Sequence, residues 1–539
     1  MKHFPSLLIL LLILCLGADA QPDLKHSFFI NYKKCFGYKV HFDVIMPHSN
    51  GSLFALREVK EPTYDCRLYK LDANTFDTLW SVKYGGSEED FLSNMIELPD
   101  QTMVLAGTTN SNDGDVPYGH TYTAKEIWVL RVDTLGNILN GTTFGGSDGS
   151  VIYTLRYAPE GYIYLAGNTN ADDYDFLHAG FGSFDADPWI VRLDTNLSLK
   201  KVLVVPGNNN ETRPFMEYMG PNSLIMGFGS SGTNPEVYGN LSLGLHDLVV
   251  MHLDSNFNIK WGKRIGGNLD DDAEGICLKY TDTKFCIVGS TRSCSGDIGF
   301  KRDCNGTTSS MLISIIDTNG LVHHCKAYGD SNTANWAAPP TLVVSGAYLH
   351  DGKIYAHYYT QGEAGDMDMN LSPQRRLAAW IGAFDSTANL IGKKTIDGGG
   401  QTGFIGQNLF VKNNILYWNL ESGAGKINSY SCDTSEYFGI LLGLSLTPLS
   451  VEYNSGDFNL IKIFPNPAHN EILISLSPAL RKSPCVFSIH NMQGQKMFSK
   501  KINQPKEMEA FNIEKLPIGQ YLLHTQNEKE DFFHIFYKR

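Results

Sequence analysis

The chain has 539 residues and a formal net charge of -13, with 44 Lys and Arg against 57 Asp and Glu. No basic stripe is present to neutralise phosphates, which excludes nucleic acid as a partner class. Outside the N-terminus no segment approaches the ~18 apolar residues of a membrane-crossing helix, so no transmembrane span is expected in the mature chain.

The chain opens with one Lys, an apolar run from Leu7 to Leu16, and Ala18-Asp19-Ala20 ahead of Gln21. That order predicts a secretory signal peptide over 1–20, cleaved between Ala20 and Gln21. Lipid attachment at Cys15 is disfavoured, because the preceding Leu14 is too large.

Residues 21–447 keep a beat. An aliphatic or aromatic residue followed by Asp recurs at Leu71-Asp72, Val132-Asp133, Leu193-Asp194, Leu253-Asp254, Ile316-Asp317 and Phe384-Asp385, at intervals of 61, 61, 60, 63 and 68. Gly85-Gly86, Gly145-Gly146, Pro206-Gly207, Gly266-Gly267, Gly329-Asp330 and Gly398-Gly399 begin at intervals of 60, 61, 60, 63 and 69. Two marks drifting together identify a repeat protein.

Each unit holds short β-branched or aromatic segments bounded by Gly, Asn and Asp, as Met103 to Val116 and Ile127 to Ile138 illustrate, and these read as strands. Alternation places Trp128, Leu130 and Val132 on one face and Val129, Arg131 and Asp133 on the other. Five residues before the recurring Asp stand Trp128, Trp189, Val249, Leu312 and Trp380, a bulky phase expected to pack between neighbouring units. A first unit is expected from about Phe28, with Gly51 to Glu58 as its inner segment. A last unit is expected to use Asn413 to Leu420 and Phe438 to Ser445. The fold class is therefore all-β: a seven-bladed β-propeller, whose ring hides its strand edges, followed by a small C-terminal β-sandwich.

Nine cysteines remain after leader removal, an odd number. Disulfides are expected in an oxidising exterior, with Cys277 and Cys286 opposed across a hairpin, Cys294 and Cys304 bracketing a loop, and Cys35 with Cys66 as a further pair. The loops holding Asn110, Asn112, Asp113 and Asp115, then Asp172, Asp173 and Asp175, then Asp270 to Asp272, admit two readings: turn chemistry, or calcium held by clustered oxygens. The twelve-residue calcium loop fails at Thr121, and no other cofactor is indicated. The recurring Asp closes a turn by accepting backbone N–H groups, since six copies argue for structure. His323, His324 and Cys325 form a tight group without a third ligand at metal spacing. No nucleophile elbow, zinc-protease helix or phosphate-binding loop is present, so no catalytic residue is named. Arg375 and Arg376, in an insertion where the beat loosens, are the residues singled out for a ligand face.

Residues 448–459 read as a polar linker and 460–539 as a second domain of alternating strands and turns. Pro465 and Pro467 fix φ and stiffen its entrance.

Two resemblances accompany these readings. Trp80 with Gly85-Gly86, Leu105 to Thr109, Ser111 to Asp115 and Trp128 to Asp133, echoed by Trp261 with Gly266-Gly267, resemble a secreted bacterial propeller repeat, which implies the fold. Pro465-Asn466-Pro467, Ile489 to Gly494, Leu516 to Leu522 with Gly519 and Tyr521, and Lys538-Arg539 resemble the C-terminal sorting domain of the type IX secretion system. That resemblance implies the type IX machinery as a partner and passage through the periplasm and outer membrane of a Gram-negative bacterium to the cell surface or medium. The leading functional reading is a secreted or cell-surface non-enzymatic binding or adhesion scaffold with a glycan or protein ligand. The alternative is a propeller hydrolase or lyase acting on polysaccharide or peptide, its site at the mouth of the ring.

Overall fold

A computed structural model describes residues 26–445 and 461–539, except 28–29, 39–41, 61–62, 118–123, 178–185, 206, 208–210, 233–244, 300–308, 330–343, 361–377, 398–403, 423–425, 428–429, 432–437, 465–467, 477–480, 482, 492–495 and 528–530. Ala20, Gln21, Cys304, Arg375, Arg376, Pro465, Asn466, Pro467 and Gly494 therefore lie outside the described residues. No described helix is long and apolar enough to cross a membrane. The chain forms two compact units, 1–448 and 449–539.

In the first unit the described residues form seven antiparallel sheets of four principal strands, numbered here in chain order. Their inner strands are Val44–Pro47, Asp90–Glu97, Ser150–Ala158, Glu211–Gly220, Asp271–Lys279, Val344–His350 and Phe404–Lys412. Each inner strand packs near the next, and the seventh returns to the first, so the sheets form a β-propeller ring.

The middle strands are buried on both faces because each sheet lies between two others; Met103–Thr109 and Glu126–Val132 show only one side chain each that is not buried. Outer strands such as Ile138–Phe144 are instead exposed at their start, half-buried in the middle and buried only at Phe144. The bulky phase does what its spacing predicts. Trp128 packs with Leu56 and Leu68 of sheet 1, Trp189 with Val104 and Val129 of sheet 2, and Trp380 with Val288 and Ile313 of sheet 5. Each anchor reaches back into the preceding sheet, so one phase of the repeat fills successive interfaces. Val129, on the opposite face from Trp128, belongs to the next interface, as the alternation requires.

Ring closure departs from the expected units. Ile30–Tyr38 does not belong to the first sheet; it is the outer strand of the seventh, antiparallel to Phe438–Ser445. The N-terminal segment thus covers the edge that the last sheet would otherwise expose. His26–Ser27 adds a short parallel strand to the outer edge of sheet 6. Across the closure the Asn408 side chain imitates a strand: its Oδ1 accepts from Ile45 N at 3.1 Å and its Nδ2 donates to Ile45 O at 2.7 Å. Asn419 Nδ2 donates to Phe42 O at 2.6 Å.

Two of the three expected cysteine pairings also need correction. Cys277 lies opposite Ile287, while Cys286 lies opposite Leu278. That offset of one residue sends the two thiols to opposite faces, Cys277 toward sheet 4 and Cys286 toward sheet 6, and both are free and buried. Cys66 is likewise free and buried among the residues between sheets 1 and 2, so it does not bond Cys35.

In the second unit, strands Ile461–Phe464, Glu471–Leu476 and Met508–Asn512 form one sheet. Cys485–Asn491, Lys496–Ile502, Gly519–Gln526 and Asp531–Lys538 form the other. Ile472, Ile474 and Phe511 of the first meet Phe487, Leu523 and Phe536 of the second in one core, giving a β-sandwich.

Candidate functional site

The repeated polar residues are structural. Asp133 Oδ1 accepts from Leu135 N at 2.8 Å and Asn137 N at 2.9 Å, and Asp194, Asp254, Asp317 and Asp385 repeat both bonds one unit apart. Burial is the largest single influence on Asp133 and raises its pKa, but the bonds from Asn137 and neighbouring N–H groups together outweigh it and hold the carboxyl below its ordinary value. His323 Nε2 contacts Asp317 Oδ2 at 3.1 Å, so this histidine is engaged with a turn carboxylate, while Cys325 is buried and burial pushes its thiol up to about 12.

The Asp-rich loops clasp the Gly-Gly marks. Gly86 N donates to Asp90 Oδ2 at 2.6 Å, Ser87 N to Asp113 Oδ1 at 2.7 Å and Gly85 N to Asp115 Oδ2 at 3.3 Å. Gly145 with Asp175, Ser147 with Asp173, and Gly266 with Asp297 repeat the arrangement. A side chain at Gly86 would strike Asp113 and Ser111, which explains the glycine. Buried Asp90 also accepts from Thr109 Oγ1 and from Ser111 Oγ, the latter at 2.8 Å. These oxygens serve backbone and hydroxyl donors, and among the described residues no group of three or more His, Cys, Asp or Glu is arranged to hold a metal.

The inner strands differ. Six of the seven carry a register irregularity at the same phase: between Leu92 and Asn94, Ile152 and Thr154, Thr212 and Phe215, Ala273 and Ile276, Val344 and Gly346, and Gly406 and Asn408. A bulge leaves its extra residue outside the ladder and re-aims it. The described side chains so placed are those of Ser93, Tyr153 and Arg213 with Pro214. The backbone device repeats and the chemistry does not.

Two of these positions open into a cleft of about 440 Å³ between the inner strands of sheets 1, 2 and 3, lined by Asp43, Val44, Glu58, Phe91, Leu92, Ser93, Asn94, Ile152 and Tyr153. Asp43 Oδ2 accepts from Glu58 N at 2.9 Å, and Asn94 Nδ2 donates to Ser93 Oγ at 3.1 Å. Tyr153 is 41% exposed although it sits mid-strand. Its hydroxyl pKa is raised by partial burial, against a downward pull from Arg213. Beside the cleft, Phe91 stacks on Tyr64 at 6.1 Å between centroids, with Lys125 Nζ 4.8 Å from the Phe91 ring and Lys60 Nζ 4.6 Å from the Tyr64 ring. Further along the inner strand of sheet 3, Arg156 donates to Glu217 Oε2 at 2.9 Å and to Cys277 O at 3.4 Å, tying sheets 3, 4 and 5 together. The cleft therefore lies at the end of the inner strands where they begin, on the far side of Tyr153 from this ion pair.

Sequence reasoning put the site of the enzyme alternative at the ring mouth and singled out Arg375 and Arg376, which lie outside the described residues, for a ligand face; it did not name Tyr153, Ser93 or Asn94. The available signal was a repeat position, about 20 residues after Asp72, Asp133 and Asp194, at which residue type changes from Ser93 to Tyr153 to Arg213.

In the sorting region, Gly519 begins the strand that pairs with Asp531–Lys538 and lies opposite Lys538. Tyr521 stacks on Phe536 at 5.7 Å and donates to Pro517 O at 2.7 Å. Ala468, which follows the Pro-Asn-Pro motif, donates to Tyr537 O and accepts from Arg539 N, both at 2.7 Å. The C-terminal residues thus clamp Ala468.

No curated protein matches the chain in sequence. Similar solved structures include the β-propeller domain of the Trilobed protease from Pyrococcus furiosus, at 9% identity and a TM-score of 0.37 over 78% of this chain and 100% of that one. A member of the DUF4221 family from Bacteroides vulgatus gives 10% identity and a TM-score of 0.35 over 78% and 97%. Drosophila Semaphorin 2a gives 8% and 0.39 over 94% and 96%. Residues 462–536 match the family described as secretion system C-terminal sorting domain, so the chain is a β-propeller joined to an export signal of that family.

Proposed function

We propose that the protein is a non-enzymatic binding scaffold displayed on, or released from, the surface of a Gram-negative bacterium, with its ligand held at the mouth of the propeller. The observation that carries this reading is the bulge series: structural positions repeat from sheet to sheet, while the residues aimed from the inner strands change. A rigid ring with a variable rim is suited to presenting a recognition surface. The leader over 1–20 would be removed between Ala20 and Gln21, and type IX machinery would carry the folded chain from the periplasm across the outer membrane. Deleting 460–539 and locating the product tests the export half. Retention in the periplasm is the expected result, and unchanged appearance outside the cell would sink it.

A hydrolase or lyase at the same mouth is the second reading. It is favoured by one observation, that Asp43 and Glu58 line a single cleft, since paired carboxylates are what glycoside cleavage requires. Incubating the full chain with mixed polysaccharides and peptides separates the two: turnover abolished by Glu58→Gln would establish the enzyme.

A further inference from the structure

The lining of the cleft restricts what it can hold. Its described polar groups are two carboxylates, two hydroxyls and an amide at Asp43, Glu58, Ser93, Tyr153 and Asn94, and none is a cation. An anionic ligand would face the Asp43 and Glu58 carboxylates, and that juxtaposition is repulsive. A cationic ligand meets the opposite difficulty at the rim. The Phe91 ring already carries the Lys125 ammonium, and Tyr64, stacked on Phe91, carries Lys60. Arg213 is near enough to act on Tyr153. A third class satisfies both limits: an uncharged molecule rich in hydroxyl donors, with an apolar face.

A saccharide unit has that combination. Its hydroxyls donate to carboxylate oxygens and exchange hydrogen bonds with an amide and a hydroxyl, while its C–H face packs on an aromatic ring. Tyr153 supplies such a ring, 41% exposed and held out of the ladder by its bulge. Val44, Leu92 and Ile152 provide apolar lining between the polar groups. At about 440 Å³ the cleft falls toward the lower end of the roughly 300–1,000 Å³ usual for small-ligand sites, which suits a chain end or short segment better than a long polymer.

Resting on the ring-mouth reading above, we propose that the cleft between sheets 1, 2 and 3 binds an uncharged saccharide unit, with Tyr153 stacking on its ring and Asp43, Glu58, Ser93 and Asn94 bonding its hydroxyls. The test applies the full secreted chain to an array of neutral oligosaccharides with hexose, deoxyhexose and N-acetylhexosamine termini, beside sialylated and sulfated glycans and Lys- and Arg-rich peptides. Binding to neutral termini is expected. Affinity should fall about tenfold or more in Tyr153→Ala and be largely kept in Tyr153→Phe, which retains the stacking face. Asn94→Ala should weaken binding several-fold and provides an independent readout if Tyr153→Ala fails to fold. Binding confined to charged glycans or peptides would overturn the saccharide assignment while leaving a ring-mouth scaffold standing. Neutral-glycan binding unaffected by Tyr153→Ala and Asn94→Ala would overturn the site, and silence across the array would overturn the proposal.

Discussion

The interfaces between sheets and the inner rim of the ring are both periodic, but in different senses. At the interfaces residue and role recur together: Trp128, Trp189 and Trp380 each insert into the preceding sheet. Asp133, Asp194 and Asp254 each close the same turn. At the rim only the backbone irregularity recurs, and it presents Ser93, Tyr153 and Arg213 in successive sheets. Packing between sheets leaves little freedom, because a different volume opens a void or forces a shift. A bulged residue facing the mouth is free of that constraint, and so can vary with the ligand.

The comparison is most easily broken at the interfaces. Trp128→Ala and Trp189→Ala each remove a fully buried indole, and each should lower unfolding free energy by about 3–5 kcal/mol. Urea titration of the full chain followed by circular dichroism reads this as a lower midpoint of the propeller transition. Equal losses at the two sites would show that the phase has one role; a loss under about 1 kcal/mol at either would show that the interface collapses around the gap.

Sheets 6 and 7 break the interface pattern itself. Counting three residues on from the second-strand partner of Leu71, Val132, Leu193, Leu253, Ile316, Phe384 and Leu444 gives Leu56, Ala106, Ala166, Gly227 and Val288 in sheets 1 to 5, but His357 and Asn419 in sheets 6 and 7. Asn419 is used in ring closure. His357 lies 5.5 Å from Trp418 between ring centroids, is fully buried, and has no hydrogen-bond partner on either nitrogen among the described residues. Burial lowers its pKa from 6.5 to about 3. The unfolded chain therefore takes the proton first: stability is intact above about pH 6.5 and falls as pH drops toward 3, by about 1.4 kcal/mol per unit. Between pH 7 and 4.5 the native protein should lose roughly 3 kcal/mol more than His357→Phe. Parallel urea titrations at the two pH values measure it, and equal losses would mean that the imidazole reaches water.

How much was legible in the sequence follows from the same contrast. The turn Asp and the buried Trp announced themselves because identical neighbours demand identical residues. The strand exchange at ring closure did not, since Ile30–Tyr38 pairs with a strand about 400 residues away and carries no repeat mark. The Cys277 and Cys286 error came from counting a hairpin without its register, where one residue reverses every face. Tyr153 was passed over because it occupies a strand-forming segment and looks like core. Only the bulge turns it outward.

The smallest effects sharpen the contrast furthest. Asp133→Ala removes an acceptor shared by Leu135 and Asn137 and should cost about 1 kcal/mol, because the turn's N–H groups turn to water without losing the strand pairing around them. Ser93→Ala, at an exposed bulge, should change stability by less than about 0.5 kcal/mol. If the second value exceeds the first, the bulges hold the ring together and their side chains are not free to follow a ligand. If it falls near zero while saccharide affinity drops, the rim is a surface on which binding varies without disturbing the fold beneath it.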